Sequence, residues 1–285
     1  MLTREQIDFY HEYGYLSVEN VLSEDEVAEL RIVTDEFVEK SREVTEHTSE
    51  FDLEPGHTPD KPRLRRLKSP ILLHDLYRQL LQHENILAHV SQLIGYGLRT
   101  NGNKLNMKQP GYGSPVEWHQ DWAFYPHTND DLLAVGVVID DMTEENGPLL
   151  VIPGSHKGPI YDHNLDGHFC GAVTDPAFSD KTAVSIMVKA GGITIHHVRM
   201  LHGSMVNMSD HPRRLLLFQY CAIDAFPLSG TNDWDSFNET IVRGEPTNIP
   251  RIEPVPVRMP YPAALRTGSI YESQTVLKES NFGKR

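Results

Sequence analysis

Two imidazoles and one carboxylate stand out in this sequence as side chains that together could hold a metal ion. His119 and Asp121 are separated by one residue, and the tripeptide His202-Gly203-Ser204 follows much later in the chain. A facial triad of two histidines and one carboxylate binds iron(II) and leaves the remaining positions open for substrates and O2. The spacing therefore predicts an oxygenase, with His119, Asp121 and His202 as its catalytic residues and metal ligands.

The His-X-Asp pattern alone is a weak signal, because a chain with 15 His is expected to contain one such triplet by chance. On extended backbone, side chains two residues apart share a face, so His119 and Asp121 can reach the same ion. His202 follows the apolar segment 192–197, a predicted strand that can return it beside the first two ligands. His197 is the rival third ligand. Zinc also accepts two histidines and an aspartate, so a hydrolase or isomerase is the rival enzyme class.

A basic pair, Arg213-Arg214, begins the apolar run that follows His202. The planar fork of a buried guanidinium binds a carboxylate through two hydrogen bonds, as a dicarboxylate cosubstrate would require. The hydroxyl of Ser204 can donate to the same carboxylate. We assign this role to Arg213. The alternative is a solvated basic pair at a strand end, and we expect one of the two arginines to be solvated.

The first hundred residues are predicted to be mostly helical. Capping-box patterns pair Thr3 with Gln6 and Ser23 with Glu26, ahead of apolar side chains at helical spacing. The predicted helical segments include 23–42 and 70–95. The intervening residues, 43–69, contain three prolines and no periodicity, and we interpret them as a long loop that could act as a lid.

After Gly97 the pattern changes to short β-rich runs separated by glycine and proline. The predicted strands are 103–109, 132–139, 149–152, 183–188, 192–197 and 214–223. Several short strands of this kind are typical of a sandwich or barrel. Residues from about 227 onward are rich in Pro, Asn and Ser. They predict an irregular covering segment with one short helix near 232–242.

Composition limits the classes of partner and compartment. The net charge of -14 argues against nucleic acid, because phosphate binding requires a basic surface. No apolar run approaches the roughly 20 residues that span a bilayer, so we expect no membrane partner. The N-terminus is polar, and we interpret Cys170 and Cys221 as reduced, buried thiols. The expected location is cytoplasmic, and nothing in the sequence indicates the oligomeric state.

Four motifs in order resemble the phytanoyl-CoA dioxygenase family of iron(II)- and 2-oxoglutarate-dependent oxygenases. They are Trp118-His119-Gln120-Asp121, Asn146-Gly147-Pro148-Leu149, Pro153-Gly154-Ser155-His156, and His202-Gly203-Ser204 followed by Arg213. The resemblance implies a mostly β fold with flanking helices, in which a cupin-like double-stranded β-helix, or jelly roll, follows N-terminal helices. We therefore expect a single domain over 1–285, with a helical part (1–100), a jelly-roll core (101–225) and a covering segment (226–285).

The same resemblance implies iron(II) as cofactor and 2-oxoglutarate and O2 as cosubstrates. The implied site binds the C5 carboxylate of 2-oxoglutarate to Arg213 and includes Ser204, Gln120 and Leu105. Val137 stands where some members have a tryptophan near the cosubstrate. The expected reaction hydroxylates an unactivated C–H bond and releases succinate and CO2. The carboxylate ligand favours hydroxylation, because halogenases of this chemistry lack it to make room for halide.

The sequence specifies the substrate less well than the reaction. The candidate substrate-binding residues are Trp122, Tyr125, Asn106, Arg66 and Lys68. Asn106 and Lys104 alternate with apolar residues on a predicted strand that faces the iron. The basic cluster of Arg63, Arg65, Arg66 and Lys68 is the best candidate for binding a phosphonate, phosphate or carboxylate group, although a solvated patch is the alternative. We predict a small polar or anionic metabolite. An acyl-CoA hydroxylase and a catalytically silent jelly-roll binding protein are the alternatives.

Overall fold

Two antiparallel β-sheets face each other across the centre of the molecule. The computed structural model describes residues 1–111, 113–258 and 269–282. The strands are β1 (Tyr15–Val18), β2 (Phe51–Leu53), β3 (Leu64–Lys68), β4 (Leu98–Lys108), β5 (Val116–His119), β6 (Leu132–Val138), β7 (Leu149–Val151), β8 (Asn164–Leu165), β9 (His168–Phe169), β10 (Val184–Ile186), β11 (Ile193–His197), β12 (His202–Ser204), β13 (Arg213–Ala222) and β14 (Ile241–Arg243). All six predicted strands are present, within five residues at every boundary.

The strand order is that of a jelly roll. The larger sheet has the order β1-β11-β6-β13-β4-β3-β2, with β14 also paired to β4, and the smaller sheet has the order β10-β7-β12-β5. From β4 to β13 the chain alternates between the larger and the smaller sheet. The exceptions are β7 and β10, which both lie in the smaller sheet, and the separate β8-β9 hairpin. A double-stranded β-helix of this kind encloses a space between its sheets. The predicted fold class is confirmed, and β5 and β12, which carry the candidate metal ligands, pair in the smaller sheet.

Four N-terminal helices cover the outer face of the larger sheet: α1 (Arg4–Tyr13), α2 (Glu24–Lys40), α3 (Asp75–Leu81) and α4 (Glu84–Ile94). Two short helices, α5 (Trp234–Glu239) and α6 (Ile270–Ser273), lie elsewhere in the C-terminal segment. Both predicted capping boxes are present, at Thr3 and Ser23. No helix in the described part of the chain is long and apolar enough to cross a membrane.

Alternation along the strands divides the larger sheet into an outer apolar face and an inner face. On the outer face, Leu105, Val137, Leu216 and Phe218 are fully buried against the helices. Burial of one such side chain stabilises the fold by about 1.5–3 kcal/mol, so this layer fixes the sheet in place. The residues between them along the strands face the smaller sheet, and this inner face is therefore available for a site.

The prediction that residues 43–69 form a long loop without regular structure was wrong. Residues 43–69 include the hairpin of β2 and β3, and β1 also lies within the first hundred residues. The three prolines fall between β2 and β3, which hid the strands from a search for periodicity. Leu64 and Leu67 are fully buried, because β3 pairs with β4 and extends the sheet. β4 itself begins at Leu98, so it crosses the predicted boundary between 100 and 101.

Within residues 226–258 and 269–282, the C-terminal segment contains more regular structure than expected. The predicted helix near 232–242 is α5, and β14 follows it at once. The Glu117 carboxylate accepts hydrogen bonds from the Ser280 hydroxyl and from the Asn281 backbone N–H, the latter at 3.0 Å. Phe282 packs on Trp118 with ring centroids 5.7 Å apart. These contacts tie residues 280–282 to β5, the strand that ends at the candidate metal ligand His119.

Candidate active site

The three predicted metal ligands meet between the two sheets. His119 ends β5, His202 begins β12, and the two residues are direct cross-strand partners. Gln120 is extended, with φ -121° and ψ 125°, so Asp121 returns to the side of His119. Its Oδ1 lies 3.8 Å from His119 Nε2. The ligand atoms of His119, Asp121 and His202 lie within 4.8 Å of one another, and all three residues are buried. One ion can therefore contact all three.

Hydrogen bonds to the far ring nitrogens orient both candidate histidine ligands. His119 Nδ1 donates to the Glu117 carbonyl at 2.8 Å, and His202 Nδ1 donates to the Met200 carbonyl at 2.9 Å. Each Nε2 is thereby left with its lone pair free for a metal. Burial lowers the pKa of His119 to about 4 and holds the pKa of His202 well below its ordinary value. Both imidazoles are therefore neutral at pH 7, as metal ligation requires.

The Asp121 carboxylate supplies the negative charge of the triad. Burial raises the pKa of this carboxyl, but the adjacent His196 imidazole, with Nε2 3.7 Å from Oδ2, and the nearby His202 and Lys104 outweigh burial and hold the pKa well below its usual range. An ionised carboxylate with two neutral imidazoles is the donor set that suits iron(II) and keeps open positions. The side chains present therefore fit the predicted metal.

His197, the rival third ligand, lies outside the site. Its Nε2 is 3.9 Å from Asp130 Oδ2, and its ring packs on His156. The neighbouring residue on β11, His196, faces the ligands instead: its Nε2 is 3.7 Å from Asp121 Oδ2, and its ring centroid is 4.3 Å from that of His202. The sequence analysis missed His196. The only signal for it was strand alternation, which turns one of two adjacent histidines inward.

Arg213 and Arg214 extend to opposite faces of β13. Arg213 is only 3% exposed and lines the same cavity as the ligands. Its Nε donates to the Gly147 carbonyl at 3.1 Å, and it has no salt bridge within the described ranges. Burial lowers its pKa to about 10, which leaves a buried cation that a carboxylate would neutralise. Ser204 lines the cavity from the facing strand β12.

Arg214 is a structural cation. Its Nε and Nη2 bond to the two Asp140 carboxylate oxygens at 2.7 and 2.8 Å, and its Nη1 bonds to Asp35 Oδ1 at 2.5 Å. The side chain of Arg214 is only 7% exposed. The expectation that one arginine of the pair is solvated was therefore wrong for both residues.

The Gly147 carbonyl accepts the hydrogen bond from Arg213 Nε, and the backbone conformation of Gly147 requires glycine. Its φ is +76°, and a Cβ there would lie 2.6 Å from the Met205 carbonyl oxygen. We expect Gly147→Ala to lower the free energy of unfolding by about 2–3 kcal/mol and to weaken 2-oxoglutarate binding. Gly154→Ala is the matched control, since Gly154 has φ +78° with no atom within 4 Å of a Cβ, and should cost about 1 kcal/mol. Equal losses in thermal unfolding of the two variants would contradict the steric role.

A cavity of about 50 Å³ opens beside the candidate ligands, between the two sheets. Its lining includes Lys104, Asn106, Gln219, His196, Ala134, Leu217 and Ile270. The Lys104 ammonium makes no salt bridge with any residue that the structure describes. Asn106 Oδ1 is buried without a hydrogen-bond partner in the described ranges. The structure thus brings the predicted substrate residue Asn106 to the site. Tyr125 reaches it indirectly, because its hydroxyl accepts a hydrogen bond from Gln219 Nε2 at 2.6 Å.

Gln120 does not reach the cavity. Its Nε2 donates to the carbonyls of Pro159 and Arg199 at 3.1 and 2.9 Å, and its Oε1 accepts from the Tyr161 N–H at 2.9 Å. As the middle residue of an extended tripeptide, it turns away from the side that His119 and Asp121 share. Its amide holds two loops together, so we leave Gln120 out of the proposed cosubstrate site.

Leu105 and Trp122 also lie away from the cavity. Strand alternation places Leu105 on the outer face of the larger sheet, in the core beneath the helices, and Val137 lies on that face too. Trp122 is 1% exposed in a separate apolar cluster, where its Nε1 donates to the Pro256 carbonyl at 2.8 Å. Neither Leu105 nor Trp122 lines the cavity beside the candidate ligands, so we leave both out of the proposed site.

Two residues of the predicted anion-binding cluster share a buried carboxylate within the sheet. Arg66 Nη2 and Lys68 Nζ contact the two oxygens of the fully buried Asp52 carboxylate at 2.7 and 2.8 Å. The Arg65 guanidinium stacks 4.5 Å above the Tyr271 ring. These side chains are held by β2 and by the C-terminal segment, and neither Arg66 nor Lys68 lines the cavity. The sequence could not show this pairing, because Asp52 meets them only when the hairpin forms.

Lys108 is a buried cation that the sequence analysis did not single out. It is fully buried, and its Nζ donates to the carbonyls of Ser114, at 2.7 Å, and Met205. Burial and the neighbouring Arg213 guanidinium hold the pKa of Lys108 well below its ordinary value. Lys108 fixes the backbone beside Ser204. In the sequence it resembles any exposed lysine at a strand end.

Comparison with known proteins decides the class of this site. The sequence profile described as phytanoyl-CoA dioxygenase (PhyH) matches residues 10–215. The chain belongs to the phytanoyl-CoA dioxygenase family. A relative described as a probable alpha-ketoglutarate-dependent hypophosphite dioxygenase, from Stutzerimonas stutzeri, is 36% identical over 284 residues, covering 98% of this chain and 99% of the relative. An ectoine dioxygenase from Bordetella parapertussis is 27% identical over 244 residues, covering 78% of this chain and 76% of the relative.

Solved structures show the same fold. The crystal structure of EctD from S. alaskensis with bound Fe matches with a TM-score of 0.70 and 22% identity, covering 88% of this chain and 87% of that one. The epimerase SnoN in complex with Fe3+, alpha ketoglutarate and nogalamycin RO matches with a TM-score of 0.65 and 23% identity, covering 93% and 96%.

This member of the phytanoyl-CoA dioxygenase family is an iron(II)- and 2-oxoglutarate-dependent dioxygenase that uses O2. That conclusion excludes the zinc hydrolase and the silent binding protein. Bound iron supplies the chemistry that couples the oxidative decarboxylation of 2-oxoglutarate to oxygen transfer into a substrate. His119, Asp121 and His202 would hold the metal, with Arg213 and Ser204 for the distal carboxylate of 2-oxoglutarate. Ile270 and Leu217 would exclude bulk water from the reacting atoms.

Proposed function

We propose that this dioxygenase oxidises a small anion, with hypophosphite as the first candidate. The observation that carries the proposal is Lys104, a cation that lines the iron cavity and has no salt bridge in the part of the chain that the structure describes. Burial lowers its pKa, and Asp121 opposes that effect. A bound anion would stabilise the charged ammonium, because opposite charges in a buried site attract strongly. Asn106 adds a polar group from the same strand.

The size of the cavity supports a small substrate over an acyl-CoA. A volume of about 50 Å³, bounded by Ala134, Leu217 and Ile270, leaves little space beyond the metal and its cosubstrate. An acyl-CoA would require a long apolar groove and a basic surface for its phosphates. The relative described as a hypophosphite dioxygenase aligns over nearly the whole of this chain, whereas the ectoine dioxygenase aligns over about three quarters.

With hypophosphite, the reaction inserts one atom of O2 into a P–H bond to give the P–OH of phosphite. The second oxygen atom enters succinate as 2-oxoglutarate loses CO2, so the atoms and electrons balance. With an organic anion the oxidised bond would be C–H, as the sequence analysis predicts. In both cases the residues around the iron bind the anion and hold one X–H bond at the metal.

A panel of substrates tests this proposal. The purified protein is supplied with iron(II), 2-oxoglutarate, O2 and, separately, hypophosphite, ectoine, L-proline or a CoA thioester. We expect hypophosphite to give the fastest succinate release, with one phosphite per succinate by phosphorus NMR. Turnover only with ectoine or proline would reject hypophosphite but keep a small polar substrate. Turnover only with the thioester would reject the small anion altogether.

The Lys104→Met variant tests the role of the cation. We expect the KM for hypophosphite to rise about 10- to 100-fold, since a hydrogen bond to a charged group is worth about 1.5–3 kcal/mol. The KM for 2-oxoglutarate should stay within about twofold. Lys68→Met is the control, because Lys68 lies opposite Lys104 on β3 but contacts Asp52. A change in the 2-oxoglutarate KM alone would assign Lys104 to the cosubstrate instead.

We further propose that residues 1–285 act as one catalytic domain. The larger sheet contains both β1 and β14, which come from distant parts of the chain, and this supports the proposal. Cytoplasmic location and the absence of a nucleic-acid partner stay predictions from composition.

A further inference from the structure

We infer that His196 is a specificity-determining residue that donates a hydrogen bond to an oxygen of the anionic substrate. The inference rests on the proposed function, and it names the residue that would position the anion at the iron. Three features of His196 support the inference. They are its position on the sheet, its two ring nitrogens without a hydrogen-bond partner in the described residues, and its absence from the group of three candidate metal ligands.

The register of the larger sheet directs His196 into the site. His196 pairs with Ala134 on β6, and Ala134 pairs with Gln219 on β13. Residues paired directly across neighbouring strands share a face, so these three side chains form one row on the inner face. All three line the cavity. His119 and His202 belong to the smaller sheet, and the His196 ring lies beside the His202 ring, with the two centroids 4.3 Å apart.

The imidazole of His196 has no hydrogen-bond partner among the described residues at either nitrogen, although the residue is only 2% exposed. Most buried polar groups have a partner, and leaving one unsatisfied destabilises the fold. His119 and His202 differ in this respect, because each donates its Nδ1–H to a backbone carbonyl two residues earlier. Such a cost is retained at functional sites, where a ligand supplies the missing partner.

His196 lies beside the triad, but we do not assign it as a fourth metal ligand. The ligand atoms that all lie within 4.8 Å of one another belong to His119, Asp121 and His202. His196 Nε2 is 3.7 Å from Asp121 Oδ2, beyond the range of a good hydrogen bond. A fourth protein ligand would also occupy one of the positions that 2-oxoglutarate and O2 need. The ring therefore lines the cavity beside the triad, where a substrate would be placed.

His196 and Lys104 line this cavity from different strands. Lys104 belongs to β4, and His196 belongs to β11. A cation and an N–H donor on two strands around one position suit an anion with two oxygens, such as hypophosphite. An apolar C–H substrate would leave both groups unsatisfied, so the pair would select against it.

The experiment compares His196→Phe, which keeps the ring but removes the donor, with His196→Gln, which keeps a donor. Under anaerobic conditions, each protein is loaded with iron(II) and 2-oxoglutarate, and hypophosphite is added while the visible absorption of the chelate is recorded. In the wild type we expect a saturable spectral change. In His196→Phe we expect the apparent Kd for hypophosphite to rise at least about 10-fold, with unchanged iron(II) affinity and 2-oxoglutarate affinity. In His196→Gln most of the affinity should return.

His197→Phe is the control, because His197 is the adjacent residue on the outward side of β11 and contacts Asp130. It should bind hypophosphite like the wild type. Equal hypophosphite affinity in wild type and His196→Phe would overturn the inference alone. Weaker iron(II) binding in His196→Phe, with unchanged hypophosphite affinity, would overturn it in favour of a role in orienting Asp121. No spectral response of the wild type to hypophosphite would reject the proposed function and the inference with it.

Discussion

Replacement of Asp121 by alanine is expected to abolish turnover and to weaken iron(II) binding by more than about 100-fold, since loss of a ligand should exceed the 10–100-fold effects of residues that only support ligands. Asp121 is the one anionic member of the candidate triad, and its carboxylate is buried beside His119 and His202. Without it, two neutral imidazoles remain to hold a divalent cation. Anaerobic titration with iron(II), followed by succinate release with 2-oxoglutarate, measures both effects.

Asp130→Ala is the matched control for Asp121→Ala. Asp130 is also a largely buried carboxylate near a histidine, with Arg199 Nη1 2.9 Å away and His197 Nε2 3.9 Å away, but it lies outside the cavity. Its loss should lower stability and leave the affinity for iron(II) within about threefold of the wild type. Near-normal turnover of Asp121→Ala would remove Asp121 from the metal site.

The Arg213→Ala variant is expected to raise the KM for 2-oxoglutarate at least about 30-fold, because loss of one partner of a buried charge pair costs about 2 kcal/mol or more. Arg213 is a buried cation in the cavity, and it makes no salt bridge in residues 1–111, 113–258 and 269–282. The free enzyme therefore retains a charge that only a ligand can neutralise. Initial rates of succinate formation at varied 2-oxoglutarate concentration give the KM.

Arg214→Ala provides the comparison at the next position. Its guanidinium contacts Asp140 and Asp35 on the outer face, so its removal leaves buried Asp140 without its main partner. We expect a loss of about 3 kcal/mol in the free energy of unfolding and little change in the KM for 2-oxoglutarate. If Arg214→Ala raises that KM and Arg213→Ala does not, the cosubstrate arginine has been assigned wrongly.

Local spacing was enough to predict much of the candidate site. His119 and Asp121 share a side because the residue between them is extended, and this needs no knowledge of distant contacts. The strands of the jelly roll were also visible, because each is a short apolar run between turn residues. The hairpin of β2 and β3 was not visible. Its strands are short, and their burial depends on pairing with β4.

The roles of neighbouring residues could not be predicted in the same way. Leu105 and Asn106 are adjacent, yet one packs beneath the helices and the other lines the cavity. Arg66 and Lys68 form a basic run in the sequence, but both form salt bridges with Asp52 in the folded hairpin. A single-residue shift in strand register would exchange the two faces, so the assignment depends on the whole sheet.

The sequence by itself determined the reaction class and the fold class, because the ligand types, their order and the alternation of apolar runs are properties of the chain. Only the tertiary structure decided which of two adjacent histidines enters the cavity, and that Arg214 pairs with Asp140 and Asp35 on the opposite face from Arg213. Side chains on a strand alternate between faces, and the face that becomes the site is set by pairing with strands far away in the chain. The same pairing turns His196 and Arg213 inward and His197 and Arg214 outward.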